Sequence, residues 1–322
     1  MRFAILLTLV STAFAENKGD ASALIQEVAE AAKSTTSWSI EGSVEESGYA
    51  WRDPPAQFTV LMRAPDEVRF EQRGGSTPAM IVCDSVNAWV YSPPLNRYRR
   101  QPAAQSTLCS PIVGDWKALP GTLKSPVFAG HRAIDVGGQT LECEMVRATS
   151  EPPPPASGRI KREMCIDLSK KEIIWEKEQS SYGNRTYIYR RIDRGGEPPA
   201  SGFEFEPPPG SLSSPYDLPV PSRFGSLAIP LDPGVSLPHL LSKQDPVYDE
   251  ASRRAGIEGT VMLYVVIDSS GTASDIEVFR PLGPGLDAAA IQSVRQWRFA
   301  PAMKENQPTA IATVMALTFK RP

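Results

Sequence analysis

Hydrophobic residues recur at helical spacing near the end of the chain. A glycine–proline turn at 283–285 precedes this stripe, and Pro301 prevents a helix from continuing beyond it. The pattern predicts a short helix over 286–297 with one buried face, after which the chain continues as an extended strand. The stripe consists of Leu286, Ala290, Val294 and Trp297.

Alternation of apolar and other residues on both sides of this helix predicts strands. Residues 248–255 predict a further short helix that stops at Gly256, and 269–271 a hairpin turn. We therefore expect residues 238–322 to form a small three-stranded antiparallel sheet with helices on one face and Trp297 and Phe299 in its core. The alternating positions are Val261, Leu263, Val265 and Ile267, then Ile276 and Val278, then Ile311, Thr313, Met315, Leu317 and Phe319.

The earlier part of the chain predicts a larger sheet. An amphipathic helix over 20–34 is followed by alternating segments, separated by Pro, Gly, Asp and Asn, as far as residue 207. A second short helix is predicted at 112–119. The fold class is therefore α+β: an N-terminal helix with a curved antiparallel sheet (a half-barrel), a linker rich in Pro, Gly and Ser over 208–237, and the small C-terminal sheet.

The first fifteen residues predict an export signal. Arg2 precedes a short apolar run that ends in small residues at 13–15, which is the layout of a signal peptide cleaved after Ala15. The run is shorter than the roughly 20 apolar residues that span a bilayer. The alternative is that the segment stays uncleaved and anchors the chain in the inner membrane.

Export makes the four cysteines candidates for disulfide bonds. Cys143 and Cys165 lie in two β-like segments around a loop centred near Pro154, so a hairpin brings them together. Cys83 then pairs with Cys109. Their spacing does not predict a zinc site, and the alternative is that all four are free buried thiols.

Composition and motifs indicate a binding protein rather than an enzyme. The formal net charge is −3 and offers no basic surface for nucleic acid. His131 and His239 lie far apart without a nucleophile motif, and neither GxSxG nor HExxH occurs. The sequence therefore predicts no catalytic residue, no metal and no cofactor.

The C-terminal segment contains "DPVYDEASRRAGIEGTV", "IDSSGT", "GLDAAAIQSVRQWRFAPA" and a final "ALTFK". With these motifs the segment resembles the TonB C-terminal domain over about 238–320. The resemblance implies that the short "box" peptide of an outer-membrane receptor adds as a strand to the exposed sheet edge. The partner-binding residues would be those of the third strand: Ala310, Ile311, Ala312, Thr313, Val314, Met315 and Ala316.

The N-terminal region contains "IVCDSVNAWVYSPPLNRYRRQP", "ECEMV…MCIDLSKKEIIWE" and "GFEFEPPPG". These motifs carry a resemblance to the periplasmic lipoprotein-carrier (LolA-like) family. It implies a helix packed against an incomplete barrel whose apolar interior accepts a lipid or acyl chain. The alternative is that the same residues are ordinary sheet core. The candidate lining residues are Trp38, Phe58, Val60, Met62, Phe70, Trp89 and Tyr91.

Three functions fit these features. The first is a periplasmic binding protein whose TonB-type domain docks on an outer-membrane receptor, while its N-terminal domain binds an apolar ligand. The second is a TonB-family energy transducer for transmembrane transport, anchored by an uncleaved N-terminal segment. The third is an envelope scaffold without a ligand.

Overall fold

The fold was obtained as a computed structural model. It describes residues 19–47, 55–75, 77–109, 112–151, 158–181, 183–221 and 234–320. The predicted signal at 1–15 lies outside these ranges, as does the middle of the predicted linker.

The first domain is one large curved antiparallel sheet with two helices. The helices are α1 (Ser22–Lys33) and α2 (Ile112–Thr122). The strands are β1 (Ser37–Ser47), β2 (Ala56–Arg63), β3 (Glu67–Arg73), β4 (Ala79–Cys83), β5 (Asn87–Ser92), β6 (Arg97–Pro102), β7 (Lys124–Val136), β8 (Gln139–Ser150), β9 (Ile160–Asp167), β10 (Glu172–Ser180), β11 (Gly183–Arg194) and β12 (Leu212–Ser213). Their spatial order is β12-β6-β5-β4-β3-β2-β1-β11-β10-β9-β8-β7, and only β12 pairs in parallel.

The core of this domain lies between one face of the sheet and the two helices. In β2, every second residue from Ala56 to Met62 is buried, as the alternation predicts. Helix α1 buries the face that includes Ile25 and Val28, and α2 contributes Trp116 and Leu119. The predicted helix and curved sheet are therefore confirmed.

Both predicted disulfide pairs are present. Cys83 is bonded to Cys109, with their Cα atoms 5.7 Å apart, which ties β4 to the segment that precedes α2. Cys143 is bonded to Cys165 across the hairpin of β8 and β9. The register differs from the prediction, because Met145 and not Cys143 lies directly opposite Cys165. The disulfide is therefore diagonal.

The C-terminal domain contains the predicted three-stranded sheet. The helices are α3 (Glu250–Ala255) and α4 (Pro284–Val294). The strands are β13 (His239–Ser242), β14 (Gly259–Ile267), β15 (Ala273–Arg280), β16 (Arg298–Ala300), β17 (Ala302–Lys304), β18 (Gln307–Thr309) and β19 (Ile311–Phe319). The three-stranded sheet has the order β15-β14-β19, and two further short sheets pair β13 with β16 and β17 with β18.

Helix α4 covers one face of this sheet, and local signals set the helix ends. Leu286, Ala290 and Val294 are fully buried against β14 and β15 residues. Asp249 caps α3 by accepting hydrogen bonds from the backbone N–H groups of 251 and 252, and α3 ends at a left-handed Gly256.

The structure corrects one part of the predicted core. Phe299 is buried as expected. Trp297 is only half-buried, beyond the end of α4, and its indole N–H donates to the carbonyl of Gln244 at 2.9 Å. Trp297 therefore packs at the border of the core and also ties the start of the domain to the end of the helix.

Candidate partner-binding edge

The candidate site is the outer edge of β19. Each residue of β19 pairs with one of β14, from Ile311 opposite Ile267 to Phe319 opposite Gly259. Within the described ranges, β19 pairs with no strand on its other side. Alternate N–H and C=O groups of an edge strand point away from the sheet and can pair with another chain.

The predicted partner-binding residues lie together on this edge. Ala310 immediately precedes β19, and the other six belong to it. No charged side chain occurs between 310 and 319, so β19 lacks the charges that usually protect an edge strand. The seven predicted residues are Ala310, Ile311, Ala312, Thr313, Val314, Met315 and Ala316.

The two faces of β19 meet different surroundings. Met315, Leu317 and Phe319 pack in the cluster formed with α4. Ala312 and Val314 point to the opposite face, where they join a cluster that includes first-domain residues. The three-stranded sheet is therefore covered on both faces and not only by its helices.

The first domain covers this second face through the segment 214–220. Leu218 and Val220 are buried in one cluster with residues of the C-terminal sheet. Tyr216 packs half-buried against the same cluster. The C-terminal residues of the cluster are Met262, Tyr264, Val266, Phe279 and Ala312.

Polar contacts fix the two domains together. The guanidinium of Arg97 lies 2.7 Å from a carboxylate oxygen of Glu277 and 3.6 Å from one of Asp275, both in β15. The Tyr264 hydroxyl donates to the backbone carbonyl of Asp217 at 3.1 Å, and burial raises the pKa of Tyr264 to about 12. The tyrosine therefore stays neutral and keeps its proton for this bond.

The start of the predicted linker is part of the fold. Leu212 and Ser213 extend the first sheet beside β6, and the Ser214 N–H donates to the carbonyl of Tyr98 at 2.7 Å. The alternation of Tyr216, Leu218 and Val220 was a signal for this packing. The many prolines and serines around these residues favoured a linker instead.

The candidate ligand-lining residues do not all share one face. Four of them are buried in the interior of the first domain, and Phe70 packs there half-buried: Trp38, Phe58, Val60, Met62 and Phe70. Trp89 and Tyr91 alternate with the buried Ala88, Val90 and Ser92 of β5, so they lie on the outer face. Trp89 stacks on Phe205 there, with ring centroids 5.1 Å apart. These two residues cannot line an interior cavity.

Helix α2 fills the interior that the other residues share. The ring of Trp116 packs edge-on against Trp38, with centroids 5.9 Å apart, and against Tyr189 at 5.2 Å. Tyr189 in turn packs against Phe58 at 5.9 Å. The aromatic residues form a continuous packed column in this arrangement.

A buried ionic cluster lies in the same interior. Arg162 pairs with Glu176 and, at 3.5 Å, with Glu178, while Arg185 pairs with Glu46. Burial raises the pKa of Glu178 to about 7, and the neighbouring Glu176 carboxylate adds to this shift. Sequence reasoning missed the cluster, although Arg162 lies on the inward face of β9, between the buried Ile160 and Met164 on the same face.

Comparisons with known proteins match the C-terminal part of the chain to a family. Residues 244–320 match the family described as Gram-negative bacterial TonB protein C-terminal. Protein TonB of Vibrio cholerae serotype O1 is 33% identical over 88 residues, which are 27% of this chain and 36% of that protein. The aligned part thus spans about a third of that relative.

Two solved structures extend this comparison. The solution structure of the Pseudomonas aeruginosa TonB C-terminal domain has 28% identity and a TM-score of 0.23, covering 28% of this chain and 88% of that one. A LolA superfamily protein from Nitrosomonas europaea has 10% identity and a TM-score of 0.29, covering 58% of this chain and 98% of that one. The family match confirms the resemblance of residues 244–320 to the TonB C-terminal domain.

Among the described residues, no helix is both long and apolar enough to cross a membrane. The same residues contain no group of three or more His, Cys, Asp or Glu side chains that could hold a metal ion.

Proposed function

We propose that the C-terminal domain binds an extended segment of an outer-membrane receptor in the periplasm, and that this segment adds as a strand to β19. The observation that carries the proposal is the uncharged edge from 310 to 318, which is unpaired among the described residues. The family match over 244–320 supports the choice of partner.

Strand addition sets the expected strength of the interaction. Backbone hydrogen bonds supply most of the affinity in this binding mode, so the edge tolerates varied peptide side chains. We expect a dissociation constant in the micromolar range, about −8 kcal/mol. Such a contact docks the protein on its receptor and still releases it.

Hydrogen–deuterium exchange of the full chain tests the proposal. Synthetic receptor box peptides should protect backbone amides within 310–318, because the outward N–H groups of β19 become hydrogen-bonded. Protection confined to α3 and α4, with β19 unchanged, would show that the edge is not the site.

Matched N-methylated peptides provide the control. Only every second amide of an added strand faces β19. Methylating one set of alternate nitrogens should abolish binding, whereas methylating the other set should leave it nearly unchanged. Equal loss with both peptides would contradict pairing at a single edge.

Anchoring separates this function from its main alternative. An energy transducer needs the N-terminal segment as a membrane anchor, and that segment lies outside the described residues. Our proposal expects cleavage after Ala15 and a periplasmic protein. The intact mass of the exported protein tests this. A protein that retains residues 1–15 and is found in the membrane fraction would favour the transducer.

A lipid or acyl ligand of the first domain is a further part of the proposal. Trp38, Phe58, Val60 and Met62 are buried in the interior of the first domain, which supports it. Trp116 of α2 occupies that interior, so a ligand would have to displace this helix. Without such a ligand the first domain serves as a scaffold for the C-terminal domain.

A further inference from the structure

We propose that the first domain forms one wall of the strand-addition site and excludes large partner side chains at the end of β19 near Ala312. This inference rests on the proposed function and deepens it, because it describes the partner segment. It follows from how unevenly the first domain covers one face of β19.

The coverage decreases along the strand. Ala312, Val314 and Ala316 lie opposite Val266, Tyr264 and Met262 of β14, on the face turned to the first domain. Ala312 is only 4% exposed and Val314 is half-buried, whereas Ala316 is exposed. The first domain therefore closes one end of this face and leaves the other end open.

The covering residues reach the border of the sheet. Arg97 contacts β15, the carbonyl of Asp217 contacts Tyr264 in the central strand, and Leu218 and Val220 share a cluster with Ala312 of the edge strand. These contacts run from β15 to the central strand, and the cluster that includes Leu218 and Val220 extends to Ala312 of the edge strand. A short alanine on an edge strand is buried this fully only where covering atoms extend to that edge.

An added strand would continue the sheet about 4.8 Å beyond β19. Every second side chain of the partner would then project to the face of Ala312 and Ala316. Near Ala312 these side chains would meet the wall, and near Ala316 they would project into open space. The partner therefore needs small residues at alternate positions at one end and tolerates large ones at the other.

Reversing a charge at the domain interface should weaken the contact between the first domain and the C-terminal sheet. Arg97→Glu would place a carboxylate against Asp275 and Glu277, and the repulsion would separate the two domains here. Faster hydrogen–deuterium exchange of the backbone amides in 214–220 would show this separation. Combining Arg97→Glu with Glu277→Arg restores an opposite pair. Arg100→Glu is the matched control, because Arg100 makes the same charge change on the outer face of β6.

The experiment scans a single tryptophan through a receptor box peptide and measures binding to the full chain by fluorescence anisotropy. A spin label at one peptide end assigns the register. We expect at least a tenfold loss of affinity for tryptophan at alternate positions beside 312–314, and less than a threefold loss beside 316–318. Arg97→Glu should abolish this difference, the charge-swapped pair should restore it, and Arg100→Glu should retain it.

Two outcomes separate failure of this inference from failure of the proposed function. Peptides that bind at β19 without any dependence on tryptophan position, or with the same dependence in Arg97→Glu, would overturn the wall and leave strand addition standing. Peptides that protect no residue of 310–318 in any variant would overturn strand addition and the wall together.

Discussion

The backbone carbonyl of Phe299 occupies the space that a Cβ atom on Gly271 would need. Gly271 has a φ of +81°, and its own carbonyl accepts a hydrogen bond from the Phe299 N–H at 2.9 Å. The turn between β14 and β15 is thereby fixed to the strand that follows α4. The position requires glycine for both its conformation and its close backbone approach.

Gly271→Ala should therefore destabilise the C-terminal domain. A left-handed conformation alone costs a non-glycine residue of order 1–3 kcal/mol, and the backbone clash adds to this, so we expect a loss of about 3 kcal/mol or more. Chemical denaturation measures it. Gly283→Ala is the control, because a Cβ there meets no atom within 4 Å, and equal losses for both variants would contradict this account.

Proline substitutions in β19 should separate binding from folding. In an antiparallel pair, the N–H groups of neighbouring residues point alternately toward and away from the partner strand. Of Thr313→Pro and Val314→Pro, one removes a bond to β14 and destabilises the domain. The other removes an outward donor and should weaken peptide binding at least tenfold, with a smaller loss of stability.

Titration of peptide into both variants, together with their denaturation curves, checks this prediction. Lys320→Ala, just beyond β19, serves as a surface control and should leave both properties unchanged. Full-strength binding by both proline variants would mean that β19 does not receive the peptide.

The buried ionic cluster should make the stability of the first domain depend on pH. Three carboxylates, on Glu46, Glu176 and Glu178, face two guanidinium groups, on Arg162 and Arg185. The folded-state pKa of Glu178, about 7, lies above its ordinary value of 4.5. Between these values the folded protein holds a proton that the unfolded chain has released.

The free energy of unfolding contributed by Glu178 should thus fall as pH rises from about 4.5 through 7, by up to about 3 kcal/mol. Glu178→Gln should remove this decrease and stabilise the protein at pH 8, as denaturation at several pH values would reveal. Glu163→Gln, on the other face of the sheet, should keep the decrease. An unchanged pH profile in Glu178→Gln would assign the proton to another group.

Removing Trp116 should open the interior of the first domain. We expect Trp116→Ala to cost about 3–5 kcal/mol of stability. The space left between Trp38 and Tyr189 is apolar and should take up an apolar probe. Binding of a fluorescent fatty acid should therefore rise above that of the unaltered protein.

Trp89→Ala is the matched control for this experiment. Trp89 lies on the outer face against Phe205 and should not change fatty-acid binding. If Trp89→Ala altered binding and Trp116→Ala did not, the apolar site would lie on the outer surface.

Much of the fold followed from local patterns in the sequence. Alternation identified β14 and β19, and the spacing of Leu286, Ala290 and Val294 identified α4. These features depend only on residues within one element, because the side-chain period of a strand or helix is a property of its backbone geometry. The pairing of Cys143 with Cys165 was likewise predicted from the short loop between the two segments that contain them.

Relationships between distant elements depended on the tertiary structure. The face on which Trp89 lies follows from the register of β5 against its neighbours, and bulges and turns shift that register without an unambiguous local signal. For the same reason the Cys143–Cys165 bond is diagonal. A shift of one residue moves every side chain of a strand to the other face.

The sequence by itself determined the α+β fold class and most of the elements of both sheets, and it suggested the β19 edge as a candidate site. Only the tertiary structure decided that 214–220 packs against the C-terminal sheet and that Arg97 pairs with Glu277. These contacts join residues far apart in the chain, and burial depends on what the rest of the chain places opposite each residue. From sequence alone, a proline-rich segment is interpreted as a linker. The apolar sheet face that lies opposite Leu218 and Val220 is formed by distant residues, so only the tertiary structure shows that the segment is packed.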